Sequence, residues 1–464
     1  MTYSSACSQR RLQADFPHPG LTTKPPLRCD ELLTNNNIEK GIMDNKLRKY
    51  LTVLALSISG GSIYLIPYIK YVFYDYQIEA MGITNQQSGL LLSVFAAGTM
   101  LLYIPGGMMA DRFSAKKCIL FSLISTTVLT FIYAFTFTMS FNISLLIWLL
   151  FAVTTTFVFW SSLMKTIRMT ADDDEQGVIF GLYYAGNGIA GAIGNSAALW
   201  ASGLATTAKG SLFNAVSVIG LTTAVAAVMV VFILKNDKAE DGVSDDEKIK
   251  FEDVKVLVKN PVVWLFSLVI FCGYTMYSST TYFTPYLTNV IGVSPEDSGI
   301  FSIIRTYLFM LLAPVGGYLA DKVFKSTSKW FMTAFTILGL MFIGVMNIPS
   351  TASPFFISVF TLLPGAVGLA LYGVLFSIVD EAKIPLAVTG TAVGIASITG
   401  YTPDLFMSAM FGTWLDNYGN TGYTYIFIYL AVVAFIGTCA AYAILRHCRK
   451  VEGMASGKTV LEAA

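Results

Sequence analysis

Twelve stretches of this chain are apolar, roughly twenty residues or more in length and nearly free of charge, and that leaves it few folds. A helix needs about twenty apolar residues to cross a ~30 Å hydrocarbon core, and lipid cannot hydrogen-bond a bare backbone, so such stretches become spanning helices. The spans read from the sequence are 50–74, 88–110, 117–139, 143–167, 177–200, 211–234, 262–288, 298–320, 329–348, 354–379, 387–413 and 423–446. Composition agrees, since 55% hydrophobic and 13% charged residues in 464 leave too little polar surface to clothe a soluble globule.

The second and eighth spans end in the same phrase. Gly106-Gly107-Met108-Met109-Ala110-Asp111-Arg112 returns 210 residues later as Gly316-Gly317-Tyr318-Leu319-Ala320-Asp321-Lys322. Ser88-Gly89 precedes Asp111 by the same spacing at which Ser298-Gly299 precedes Asp321, and Gly177-x-x-x-Gly181 meets Gly390-x-x-x-Gly394 at an offset of 213. Three anchors at nearly one offset mark a duplicated half of six spans, as internal repeats do in membrane carriers. The fold class expected is therefore an all-α membrane protein with 12 transmembrane helices in two pseudo-symmetric six-helix bundles. Its parts are a polar tail at 1–45, a first bundle at 46–234, a linker at 235–260 with six lysines and eight acids, a second bundle at 261–446 and a tail at 447–464. The first tail has no apolar core of the kind a cleaved signal carries and is expected to be disordered. Met43 also reads as a start, which would make 1–42 an upstream extension.

Basic residues orient the bundle. With both termini cytoplasmic, every Lys and Arg of the 30 lies at or near the cytoplasmic side except Lys70, Lys209 and Arg305. The expected location is a cell membrane, with the lipid bilayer as the main partner and the protein a monomer. A net charge of +1 without basic tracts argues against nucleic acid. Six cysteines without a C-x-x-C pair and two histidines outside the spans argue for no disulfide framework, no metal and no cofactor. Gly186-Asn187-Gly188-Ile189-Ala190-Gly191 matches a dinucleotide fingerprint in letters, but no strand precedes it and it sits inside an apolar helix. Its glycines instead suit close packing of the fifth helix on the other half. No acid/base or nucleophilic constellation lies within the membrane, so an enzyme is not expected, and no phosphate-cradling loop points to ATP.

Twelve helices in two homologous sixes, with Gly107-x-x-x-Asp111-Arg112 followed by Lys116-Lys117, resemble the major facilitator superfamily of secondary transporters over about residues 46–448. This copy has Ser114 and Ala115 where the family pattern has a glycine and a base. The resemblance implies alternating access to one central site and a cytoplasmic latch against the eleventh helix. It assigns Gly107, Asp111, Arg112 and Lys116 to a first latch and Asp321, Lys322 and Lys325 to a second. The symmetry offset also pairs Arg168 with Glu381, flanked by Lys165 and Asp380, as a gate between halves; the alternative is that Arg168 neutralises the acidic loop after it.

Charges inside the membrane are functional candidates because insertion costs them at least about 2.5 kcal/mol. Arg305 and Asp404 fall at similar depth, either as a structural pair or with Arg305 on an anionic group and Asp404 in binding or proton coupling. Lys70 either snorkels beside Asp75 or faces cargo; its distance before Asp111 is similar to that of the first-helix arginine in organophosphate antiporters of the superfamily. Asn187, Tyr64, Tyr68, Tyr274, Tyr277 and Trp160 supply polar and aromatic edges on spans that line the central cavity in this family, with core packing as the alternative for each ring. The function expected is uptake or exchange of a small organic anion or sugar-like metabolite, with a coupling proton or ion. A solute sensor that does not transport, and a drug or metabolite efflux pump, are the alternatives. Asp111→Asn is expected to abolish transport at normal surface expression; unchanged flux in cells would remove the latch.

Overall fold

The computed structural model describes residues 47–170, 176–234, 259–348, 352–381 and 395–462. The expected first tail, and the linker as far as 258, lie outside the described residues. The chain divides into Met1–Thr52, of which 47–52 are helical, and Val53–Ala464, which carries all that follows.

Every described element of the larger unit is helical. In chain order these are α1 (53–81), α2 (Asn85–Arg112), α3 (Ala115–Thr136), α4 (Phe141–Thr170), α5 (Gln176–Ser202) and α6 (Ala208–Ile233). The second set is α7 (Pro261–Asn289), α8 (Pro295–Val323), α9 (Thr327–Met346), α10 (Pro354–Tyr372), α11 (Pro403–Tyr418) and α12 (Thr421–Glu462). Eight of them are long and apolar enough to cross a membrane, and α1, α2, α5 and α11 fit the remaining expected spans. The chain is an all-α membrane protein. Short local signals set the starts: Thr84 and Gln87 form a reciprocal capping box before α2, and Ser294 caps α8 ahead of Pro295, Glu296 and Asp297.

Several helices break where the sequence reading ran them through. α1 opens into turns at 64–69 around Pro67, α7 tightens to a 3-10 turn at Thr280–Tyr282 just before Pro285, and α8 does so at Leu308–Leu312 just before Pro314. Proline has no N–H to donate and its ring crowds the carbonyl four residues back, so each break falls about one turn upstream. The breaks free backbone groups in mid-bundle, where only a protein-lined cavity tolerates them.

The duplicated phrase acts through contacts of its glycines. A Cβ on Gly106 would run into the carbonyl oxygen of Phe157 on α4, and one on Gly316 into the carbonyl oxygen of Ala370 on α10. The two targets are themselves 213 residues apart, so the repeat is a repeat of packing. The close approach is at Gly106 within its own half; at Gly107, on which the sequence reading relied, a Cβ would find its nearest neighbour, Ser161 Oγ, at an ordinary 3.7 Å. The Ser-Gly anchors are crossings between halves, whereas a Cβ on Gly181 would meet nothing within 4 Å, and Gly390 and Gly394 lie outside the described residues. Gly89 meets the Ser408 carbonyl of α11, and Gly299 lies against Leu199 of α5 and Val72 of α1. Gly412 returns the first contact on the Asn85 carbonyl, while Gly188 and Gly191 seat Tyr307 of α8. The end carrying Arg112 and the lysines is here the basic end, and the crossings at Gly89 and Gly299 lie at the far end.

Gly106→Val is expected to lower stability by about 1–3 kcal/mol through overpacking, read as a lower melting temperature in detergent. Gly107→Ala, which has room, is expected to be neutral or to gain up to about 1 kcal/mol from helix propensity.

Candidate substrate cavity

The broken helices surround a cavity of about 270 Å³ whose wall is drawn from α1, α2, α4, α5, α7, α8, α11 and the end of α10. Tyrosine dominates it. Tyr64, Tyr68 and Tyr71 come from α1, Tyr103 from α2, Tyr183 and Tyr184 from α5, Tyr274 and Tyr277 from α7, with Tyr307, Tyr372 and Tyr401 beyond. On one wall Tyr277 stacks on Tyr372 with ring centroids 4.3 Å apart, and Tyr274 stands edge-on to Tyr401 at 4.6 Å. The rings form this wall because α7, the end of α10 and the turn just before α11 bring tyrosines together. Asn187 donates to the Tyr183 hydroxyl at 3.0 Å, and Tyr64 donates to the Thr155 carbonyl at 3.2 Å beside the break in α4.

Among the described residues of this wall Asp404 is the one carboxylate, and no lysine, arginine or histidine joins it. It is 7% exposed and accepts a hydrogen bond from the Tyr274 hydroxyl. Pro403 starts α11 one residue earlier, so the carboxylate sits in the helix's first turn, where the macrodipole favours an anion. The cavity can therefore grip rings on tyrosine faces and hydroxyls on phenols, Asn187 and one carboxylate.

The wall unites seven sequence candidates: Tyr64, Tyr68, Trp160, Asn187, Tyr274, Tyr277 and Asp404. Two basic candidates stand outside it. Arg305, 1% exposed, turns into the second half, donating to Thr361 Oγ1 at 3.2 Å and Thr284 Oγ1 at 3.1 Å over the Phe283 ring, so Arg305 and Asp404 each hold another partner. Gly365 makes room for its stem, and its Nε has no partner among the described residues. Lys70, only 4% exposed, does not snorkel; its Nζ donates to the Tyr282 hydroxyl at 3.4 Å. Tyr71, Tyr103, Tyr183, Tyr184, Tyr307 and Tyr401 were missed because tyrosines are frequent on these spans and nothing local separates a cavity ring from a packed one.

The sequence profile of the Major Facilitator Superfamily matches residues 51–406. The chain belongs to that superfamily. It is 30% identical over 423 residues to the inner membrane protein YihN of Escherichia coli, covering 88% of this chain and 99% of that one. It is 22% identical over 429 residues to a hexuronate transporter of Bacillus subtilis, covering 88% and 93%. Among solved structures, an inward-facing, unoccupied bacterial homologue of the lysosomal transporter Spinster shares the fold at a TM-score of 0.64 and 16% identity, over 86% and 98% of the two chains.

Several expected latch and gate residues of this facilitator have local employment. Lys116 donates to the carbonyls of Val231 and Leu234 at 2.7 and 2.6 Å, closing the C-terminus of α6. Glu381 accepts from Ser326 Oγ and Ser328 N, both at 2.6 Å, and so holds the start of α9. Arg112, Arg168, Asp321, Lys322 and Lys325 are exposed and Lys165 is half-buried, with Lys325 in the left-handed region at φ 52°. The side chains of Asp111 and Asp380 lie outside the described residues.

At the far end hydrogen bonds join the halves. Asp416 at the end of α11 accepts from the Asn85 amide at 2.9 Å, Asn85 Nδ2 at 2.7 Å and the Gln86 amide at 2.8 Å, capping α2 across the seam. Tyr76 donates to Glu296, and Thr284 and Ser302 both donate to the Tyr71 carbonyl. Asp416 carried no sequence signal, since its function depends on a helix start 331 positions away.

Partial burial would raise the Asp416 carboxyl, but the Gln86 and Asn85 donors outweigh it and hold it below the usual carboxylate range. The ionised form thus favours closure: its contribution is full above the ordinary aspartate value of about 3.9 and is lost as pH falls through the lowered one. Labelling of a cysteine introduced at the far-end crossing, as in Leu199→Cys, is expected to rise as pH drops below about 4, and Asp416→Asn is expected to remove most of that rise.

Proposed function

We propose that this facilitator is a secondary active transporter that carries a small sugar-like metabolite through the tyrosine-lined cavity by alternating access. The observation that carries the reading is the wall itself: phenol hydroxyls, flat ring faces, Asn187 and one carboxylate, contributed by both halves. Stacked rings such as Tyr277 and Tyr372 suit the apolar face of a sugar ring, while hydroxyl groups and Asp404 suit its rim. The cavity lies between halves that are fastened at the far end, so the geometry supports a state open towards the basic end. With the positive-inside rule that end is cytoplasmic and both termini are inside. Asp404, held by Tyr274 in an otherwise uncharged wall, is the residue suited to proton coupling.

A sugar acid is the second reading. It is favoured by the buried cation Lys70, bonded to Tyr282, and by similarity over 88% of this chain to a protein named a hexuronate transporter.

Purified protein in liposomes is expected to accumulate a labelled neutral hexose or pentose in preference to a hexuronate, and faster with a pH gradient. Tyr277→Ala is expected to weaken apparent affinity about tenfold, equivalent to about 1.4 kcal/mol. Preference for the hexuronate would select the second reading, and binding without flux would select a sensor.

A further inference from the structure

Lys70 lies at the meeting point of the far-end seam and the cavity, and neither the latch nor the cavity wall accounts for it. Its ammonium is 5.5 Å from the Tyr74 ring of the first half and 5.2 Å from the Tyr282 ring of the second. Among the described residues it has no carboxylate within ion-pair distance, and the hydrogen bond from its Nζ to Tyr282 leads to α11, the helix that carries Asp404. Both neighbouring rings are tied into the seam. The Tyr74 hydroxyl donates to Asn85 Oδ1 at 2.8 Å, on the residue that Asp416 clasps. The Tyr282 hydroxyl donates at 3.0 Å to the Ser408 carbonyl, which is the group that Gly89 of α2 packs against. Ser408 is one helical turn from Asp404 on α11.

We propose that Lys70 is a positioning residue that couples the charge on Asp404 to closure of the far-end seam. A buried ammonium is costly unless an opposite charge or water stabilises it. Closed, the seam denies Lys70 water and leaves it two ring faces, one hydroxyl and the field of Asp404. While Asp404 is ionised, that field holds the arrangement together across the halves. Neutralising Asp404 removes it, and an ammonium left there gains stabilisation when Tyr74 parts from Tyr282 and admits water, which is opening of the far end. Loading of the cavity would in this way select the state that faces the other side of the membrane. The coupling rests on the transporter reading for its purpose but not for its test.

The test reads conformation, not flux. Leu199 is buried at the far-end crossing against Gly299. In Leu199→Cys, labelling by a membrane-impermeant maleimide from the far side reports opening, with the parent chain as background. Asp404→Asn is expected to raise the labelling rate about fivefold or more, within the usual range of inter-site couplings. In Lys70→Met the same Asp404→Asn change is expected to add nothing, whereas Lys70→Arg is expected to keep the response. Lys70→Gln replaces Lys70→Met if the latter does not reach the membrane. An equal rise with and without the lysine, or no rise from Asp404→Asn while Asp416→Ala does raise labelling, would overturn the coupling. Loss of the labelling response with transport intact would remove this coupling alone, and a full response without transport would remove the transporter reading alone.

Discussion

The structure depends on places where one helix backbone touches another with no side chain between them. α2 has two such places and α8 has one, at Gly316, its second glycine crossing at Gly299 being against the side chains of Leu199 and Val72. Near the basic end Gly106 and Gly316 lie on carbonyls of α4 and α10 within their own halves, and near the far end Gly89 and Gly299 lie on the opposite half. In lipid the hydrophobic effect does not drive helices together, so close backbone approach and its dispersion contacts carry much of the association. One pair of glycines makes each half rigid, and the other sets where the halves cross. The cavity is the space left between these crossings.

Buried charge is distributed unevenly around that space. Asp404 faces the cavity, Lys70 sits on the seam above it and Arg305 points into the second half towards hydroxyl groups. Each is in a low-dielectric setting, yet each is stabilised differently: by a phenol and a helix start, by two ring faces, and by two threonines over a phenylalanine. The positive charges counted as cargo-facing from the sequence lie behind the wall in this conformation. Among the described residues the wall itself therefore carries one carboxylate and no basic side chain.

How much was legible follows the range of each signal. Fold class was readable, because span length and the lack of backbone partners in lipid act locally. The glycine anchors were also readable, though their partners were not: the phrase around Gly106 marks a crossing, while Phe157 carries no mark of receiving it. Seven cavity residues were named in advance from the spans that line the cavity in the superfamily the chain resembles, while Arg305 and Lys70, read either as cargo contacts or as structural side chains, lie outside the wall. Depth depends on residue count along one helix; facing depends on how helices turn against one another, and the breaks near Pro67, Pro285 and Pro314 change that turn.

By itself the sequence determined a duplicated, lipid-solvated bundle of apolar helices, since segment length, repeated spacing and the distribution of Lys and Arg are properties of one strand of text acting on a bilayer. Only the tertiary structure decided that eleven tyrosines and Asp404 share one cavity, that Arg305 turns away from it, and that Asp416 caps a helix of the other half. Those outcomes join residues hundreds of positions apart, and what joins them is the angle at which broken helices cross, which no local pattern encodes.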